Sequence, residues 1–185
     1  MIWYTSDHHF LHANCIMYSN RPFNNVEHMT EVMISKWNSV VKPEDTVKYL
    51  GDFSLSKAAL IYVSQLNGIK DLIAGNHDHT HPAHAKKPDR IKRMTEQYLE
   101  AGFNSVKLED EVQIGSHRVV LHHMPYSGDH GKERYAQYRP KDNGLYLLHG
   151  HVHEKWKVRG KMINVGVDVW DFFPVSQTQI EGILK

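Results

Sequence analysis

Five times in this chain a short apolar, β-prone run stops at a phrase built from Asp, Asn, Gly and His. That repetition limits the folds open to it. Ile2-Trp3-Tyr4-Thr5 ends at Ser6-Asp7-His8-His9, and Thr46-Val47-Lys48-Tyr49-Leu50 ends at Gly51-Asp52. Residues 69–74 run into Gly75-Asn76-His77-Asp78, 118–121 into His122-His123-Met124-Pro125, and 145–148 into His149-Gly150-His151-Val152-His153. Runs of this length, rich in β-branched and aromatic residues, read as strands. Polar groups at the same end of successive strands place a site at the carboxyl edge of a sheet.

Between the early strands, Val26, Met29, Met33, Trp37 and Val40 recur at helical spacing. Residues 58–66 and 90–101 are further helix candidates. Strand, helix, strand, helix, strand in the first half predicts α/β layering. The second half is strand-rich: residues 111–114 and 117–121 flank Gly115-Ser116 as a tight hairpin, and 156–158 and 162–165 flank Arg159-Gly160-Lys161 as another. The expectation is an α/β fold with two sheets forming a sandwich covered by helices. Two long polar stretches, 76–89 and 126–143, are better explained by function than by connection alone.

Composition narrows the classes. At 185 residues the chain fits one domain spanning 1–185, and 41% hydrophobic residues suffice for a core without disulfides. A net charge of +1 gives no global pull toward nucleic acid, which is therefore not favoured as a partner, or toward anionic membrane. Cys15 stands alone, and the first ligand candidate lies at position seven, leaving no room for a signal peptide, so the cytoplasm is the default compartment. The unusual number is 15 histidines, most of them clustered at the ends of the predicted strands.

On an extended strand end, Asp7 and His9 point to one face and can chelate one ion, and His151 and His153 repeat that alternation. Asp52 is a lone carboxylate at a strand terminus, and a carboxylate can bridge two cations. Two carboxylates, neutral imidazoles and the Asn76 amide would leave two divalent ions with surplus positive charge, which attracts hydroxide and phosphate. Two ions about 3.5–4 Å apart activate water and clamp the oxygens of an in-line displacement. A mixed nitrogen and oxygen donor set without thiolate suits manganese first, with iron, zinc, nickel or cobalt as alternatives.

The order of these phrases resembles the calcineurin-like metallophosphoesterases, whose hallmark runs Asp-x-His, Gly-Asp, Gly-Asn-His-Asp/Glu, a histidine, then Gly-His-x-His. The likeness covers nearly the whole chain. Asn14, Arg21-Pro22-Phe23, Trp37-Asn38, Gly51-Asp52-Phe53 and the stretch 164–170 look most like the small uncapped bacterial and bacteriophage members. The resemblance implies a four-layer α/β/β/α sandwich of two mixed sheets. It implies Asp7, His9 and His153 on one metal, Asn76, His123 and His151 on the other, and Asp52 bridging. His122 could replace His123, but His123 keeps the family's distance from Pro125. His77 would protonate the leaving oxygen, with Asp78 orienting its imidazole. Arg21 and His12 are candidates for contacting substrate, while His28, His84, His117 and His130 read as surface residues. The implied activity is hydrolysis of a small phosphoester by a metal-bridging hydroxide. A phosphodiesterase on nucleotide-like or cyclic-nucleotide substrates comes first, a broad phosphomonoesterase second, and a catalytically silent metal-binding scaffold is the rival from another class.

Overall fold

The computed structural model describes residues 1–84, 87–129, 131–132 and 134–184; His130 lies outside the described residues. Ten strands form two mixed sheets of five. In the first, β1 (Ile2–Thr5), β2 (Thr46–Tyr49), β3 (Ile69–Ile73) and β4 (Phe103–Lys107) run parallel in that order, and β10 (Val175–Ser176) pairs antiparallel outside β1. The chain crosses after Lys107 into the second sheet. Its spatial order is β5 (Glu109–Ile114), β6 (His117–His122), β7 (Tyr146–His149), β9 (Met162–Asn164) and β8 (Val158–Arg159). The β5–β6 and β8–β9 pairs are antiparallel hairpins, and β6–β7–β9 is parallel.

Helices α1 (Asn14–Tyr18), α2 (Val26–Val40) and α3 (Pro88–Glu100) connect the early strands, and α4 (Gln177–Glu181) closes the described chain. Helix α2 starts where the Asn25 side chain accepts the His28 N–H at 2.8 Å, and it ends before Pro43, which cannot continue a helix. Met29, Met33 and Trp37, four residues apart, are fully buried against the first sheet. Each such side chain contributes roughly 1.5–3 kcal/mol by leaving water. Residues 57–65 are a 3₁₀ segment rather than an α-helix.

The central core is shared by the two sheets. Tyr4, Leu50 and Ile73 from the first meet Val119, Leu121, Leu148 and Ile163 from the second. The fold is thus a sandwich of two mixed sheets flanked by helices. Beyond the second sheet, Val120, Leu147 and Met162 pack under Tyr126, Leu145 and Trp156. Because β1, β2 and β3 are parallel and in register, as are β6 and β7, their carboxyl ends deliver residues 6–9, 51–53, 75–78, 122–124 and 149–153 to one edge. No helix among the described residues is long and apolar enough to cross a membrane.

Candidate metal centre

The ligand-bearing loops are held to one another before any ligand is considered. Beyond the last paired residues of β1 and β2, Asp7 N–H donates to Gly51 O at 3.0 Å, His9 N–H to Asp52 O at 3.1 Å and Phe10 N–H to Phe53 O at 2.9 Å. Asp7, His9, Asp52, His151 and His153 all have positive φ, between 49° and 69°. The extended-strand alternation expected for Asp7/His9 and His151/His153 is therefore corrected: each ligand sits in a left-handed kink just past its strand. Such a conformation in a non-glycine residue is unfavourable by about 1–3 kcal/mol and persists only where its surroundings impose it.

Two glycines let the loops touch. A Cβ on Gly75 would fall 2.2 Å from Asp52 Oδ1, and one on Gly150 would fall 2.0 Å from Ser6 Oγ and 2.3 Å from Asp7 Oδ2. The His151 N–H donates to both oxygens of Asp7, at 3.1 and 3.0 Å, so the fifth phrase clasps the first.

Three overlapping sets of donors result among the described residues, one of them His9 with His12 and Cys15. Donor atoms of Asp7, His9 and His153 lie within 4.8 Å of one another, as do those of Asp7, Asp52 and His123. Asp52 Oδ2 lies 3.5 Å from His9 Nε2 and 3.4 Å from His123 Nε2, between the two groups. Asn76 Oδ1 is 3.1 Å from His123 Nε2, and His151 stands with its ring centroid 5.3 Å from that of His123. His123 donates Nδ1–H to Leu50 O at 2.8 Å, which leaves Nε2 facing the carboxylate. His122 turns away and accepts the Met124 N–H at 2.9 Å.

The donor set fits divalent cations. Both ring nitrogens of His9 are buried without a hydrogen-bond partner among the described residues, although such groups are almost always satisfied. Burial holds His9 well below the ordinary imidazole range, and lowers His151 too, so both are neutral donors. Burial also opposes charge on His123, but the Asp52 carboxylate outweighs it and raises that imidazole to about 9. The centre therefore demands positive charge, which a proton or a cation can supply. Asp52 itself is held well below the carboxylate range by His123 and His77 despite its burial.

Two expectations are corrected. Arg21 does not face a substrate. Its guanidinium is fully buried, forks onto Asp168 at 2.7 and 2.9 Å, and donates to the carbonyls of Asp7 at 2.6 Å and His8 at 2.9 Å. The next link is His153 Nδ1, 3.1 Å from Asp168 Oδ2. A chain of Arg21, Asp168 and His153 thus aims the remaining imidazole nitrogen at Asp7 and His9, the usual way a protein fixes a ligating histidine. Asp78 does not orient His77 either. Its two oxygens accept the N–H groups of Asp52, Phe53 and Gly75 at 2.8–3.0 Å, tying the second and third loops together. Burial, then the neighbouring Asp52, raises its carboxyl to about 7 against the pull of those donors.

His77 keeps a different position. Its N–H donates to Asp52 Oδ1 at 2.9 Å, while its half-buried ring places Nε2 4.0 Å from Asp52 Oδ2. It lines a pocket of about 370 Å³ with His9, His12, Cys15, Tyr18, Arg134 and His153. His12 lies at that mouth, held by a 3.1 Å contact from Nδ1 to Cys15 Sγ. His8 points the other way, stacked on Phe10 and packed against Trp37 and Tyr49, and His149 packs on Trp156. Sequence reasoning missed Asp168 and Asp129 as functional; only Asp168 had a signal, through the wording of 164–170.

No family model matches the chain. Over 190 residues it is 34% identical to the Gene 66 protein of Mycobacterium phage D29, a match covering 96% of this chain and 94% of that one. The Gene 66 protein of Mycobacterium phage L5 is likewise 34% identical, with 99% and 93% covered. The chain belongs to the Gene 66 protein family. An uncharacterized protein of Methanocaldococcus jannaschii, MJ1445, is 33% identical over 195 residues, covering 100% of this chain and 91% of that one. Among solved structures, AQ665 from Aquifex aeolicus, described as a protein of unknown function, matches with a TM-score of 0.73, 28% identity and coverage of 100% and 99%. The Gene 66 proteins show the kinship and AQ665 shares the fold.

Proposed function

We propose that this chain is a dinuclear metal-dependent phosphoesterase of the calcineurin-like type, acting on small diesters of nucleotide-like or cyclic-nucleotide character. One observation carries the reading: the buried Asp52 carboxylate lies 3.5 Å from His9 Nε2 and 3.4 Å from His123 Nε2, with Asp7 and His153 grouped beside His9 and Asn76 beside His123. Two divalent cations held there would supply Lewis acidity and lower the pKa of a shared water. Manganese suits the donors, with iron, zinc, nickel or cobalt as alternatives.

The chain's own residues do the remaining work. His9, His123, His151 and His153 are fixed by hydrogen bonds, packing and backbone kinks, so little reorganisation accompanies the reaction. His77 offers its imidazole at the pocket wall to protonate the leaving oxygen. Arg134 brings positive charge to the same wall, suited to an anionic ester, while Lys155 there is paired with Glu154 at 2.7 Å. Tyr18 and His12 offer rings on which a planar substituent can lie. That combination favours a substrate carrying a base-sized group over inorganic-like monoesters.

The test is a panel of mono-, di- and cyclic phosphoesters assayed with manganese-loaded protein. Turnover of bis-p-nitrophenyl phosphate and cyclic nucleotides above p-nitrophenyl phosphate is expected. The reverse order would make the chain a phosphomonoesterase, and a metal-loaded but inert protein would make it a scaffold.

A further inference from the structure

His153 has a counterpart. As Nδ1 of His153 meets Asp168, which Arg21 holds, so Nε2 of His151 meets Asp129 Oδ1 at 3.2 Å, and Arg139 Nη2 holds Asp129 Oδ2 at 3.4 Å. The Asp129 and His151 side chains are 1% and 2% exposed, so water does not compete for the contact. Asp129 Oδ2 also accepts the Arg134 N–H at 3.1 Å, and Arg139 Nη1 donates to Pro125 O at 2.8 Å, two residues beyond His123. The carboxylate is thereby tethered to the chain segment that carries the middle histidine.

We propose that Asp129 is a positioning residue that fixes His151 as its Nε2–H tautomer and so presents Nδ1 to the second metal. This rests on the dinuclear reading above. The two histidines of one phrase would then ligate through opposite nitrogens: His153 through Nε2, because Asp168 takes the Nδ1 proton, and His151 through Nδ1, because Asp129 Oδ1, 3.2 Å from Nε2, is the group placed to accept a proton there. The physical need is plain. His151 and His153 are both in left-handed kinks and separated by one residue, so on the dinuclear reading two rings from one phrase must reach two different ions. A carboxylate behind each ring selects the nitrogen in front. It also raises the basicity of the imidazole, and loss of such a partner commonly weakens metal affinity roughly 10- to 100-fold.

The experiment uses the full chain labelled with ¹⁵N-histidine, examined by two-bond ¹H–¹⁵N correlation without metal and with zinc, beside calorimetric titration of zinc. In the wild type, His151 is expected to show a protonated Nε2 in both states and a zinc-shifted Nδ1. Asp129→Ala should weaken one of two zinc equivalents by about 10- to 100-fold and leave the other unchanged. Asp129→Asn, whose amide oxygen can still accept from Nε2–H, should recover the tautomer and most of the affinity. The proposal is overturned if His151 binds zinc through Nε2, or if Asp129→Ala leaves both equivalents within twofold of wild type. A wild type that takes up no zinc but keeps the Nε2–H tautomer lost in Asp129→Ala would sink the dinuclear reading while upholding the Asp129 contact. Loss of both equivalents together in Asp129→Ala, without rescue by Asn, would reduce Asp129 to a structural tether and also overturn the proposal.

Discussion

Replacing Arg21 with alanine separates a strut from a substrate grip. In the folded chain its guanidinium makes four bonds to oxygen, two to Asp168 and one each to the carbonyls of Asp7 and His8, with no exposed surface on the side chain. Removal leaves the Asp168 carboxylate, 2% exposed, without its countercharge. Deleting one partner of a buried pair is unfavourable by about 3–5 kcal/mol, a large part of the roughly 5–15 kcal/mol that stabilises a domain. For a chain of this size each kcal/mol moves Tm by about 2–4 °C, so thermal melting should fall by roughly 6–20 °C. The same loss releases His153, so one of the two proposed metals should bind more weakly, by about 10- to 100-fold. Replacing both residues with apolar side chains, Arg21→Met with Asp168→Leu, should melt higher than Arg21→Ala alone, because no orphan charge remains.

Acid titration adds a second readout on the same pair. Burial would raise the Asp168 carboxyl, but Arg21 and His153 outweigh it and hold it at about 2. A folded pKa below the unfolded one means the stabilisation is complete above about pH 4 and is lost as pH falls toward 2. Arg21→Ala should erase that part of the acid limb. The strut reading fails if Arg21→Ala melts within 2 °C of wild type while KM for an active phosphoester rises several-fold, the result a substrate contact would give.

Three further outcomes are expected. Gly150→Ala would drive a Cβ into Ser6 Oγ and Asp7 Oδ2, so elemental analysis should find the Asp7 metal missing, whereas Gly115→Ala, with nothing within 4 Å, should keep both metals despite a modest loss of stability. Asp78→Ala strands the N–H groups of Asp52, Phe53 and Gly75, at about 1–3 kcal/mol for each buried donor left unpaired, and should lower Tm by at least several degrees; unchanged melting with lost turnover would restore the idea that it serves His77. His77→Ala should leave metal content intact and lose roughly 10²–10⁴-fold in rate on alkyl phosphates but far less on p-nitrophenyl esters, and equal losses on both would remove it as the acid.

The strands that carry ligands were legible because two signals coincide in each: a β-prone apolar run, and an abrupt change to Asp, Asn, Gly and His at its end. Strand β4 carries neither. Phe103-Asn104-Ser105-Val106-Lys107 has neither a continuous apolar run nor a ligand phrase, and it pairs with β3 because α3 delivers it there. Two-residue β10 is defined by its neighbour β1 alone. At the site, residue identity was readable but conformation was not. Period-two alternation assumes an extended backbone, whereas the kinks at Asp7, His9, His151 and His153 are imposed by contacts between loops far apart in sequence. The carboxylates behind the histidines were hidden for a related reason. Asp168 lies 15 residues from His153, and Asp129 lies 22 residues from His151, in a loop without periodicity. Arg21 was misjudged because a sequence does not distinguish a guanidinium under the site from one above it.

The arrangement of these supports bears on what removal of metal would do. Five of the proposed ligands occupy left-handed conformations, and the contacts that impose them come from the chain itself. The first and second loops are joined by backbone hydrogen bonds, the second and third by Asp78, the first and fifth by Asp7 with His151, and the base of the first by Arg21. None of these bonds needs a cation. The core beneath, from Tyr4 to Ile163, is likewise complete without one. A structural metal site would behave otherwise, since there binding energy is folding energy. Chelation of this protein should therefore abolish hydrolysis while leaving a single cooperative melt. Each ion present at 100 times its Kd stabilises by about 2.7 kcal/mol, so its loss should lower Tm by roughly 5–11 °C without unfolding the chain at 25 °C. Collapse of the near-ultraviolet circular dichroism at 25 °C on adding chelator would show that the ions, rather than the hydrogen-bonded loops, hold the strained ligands in place.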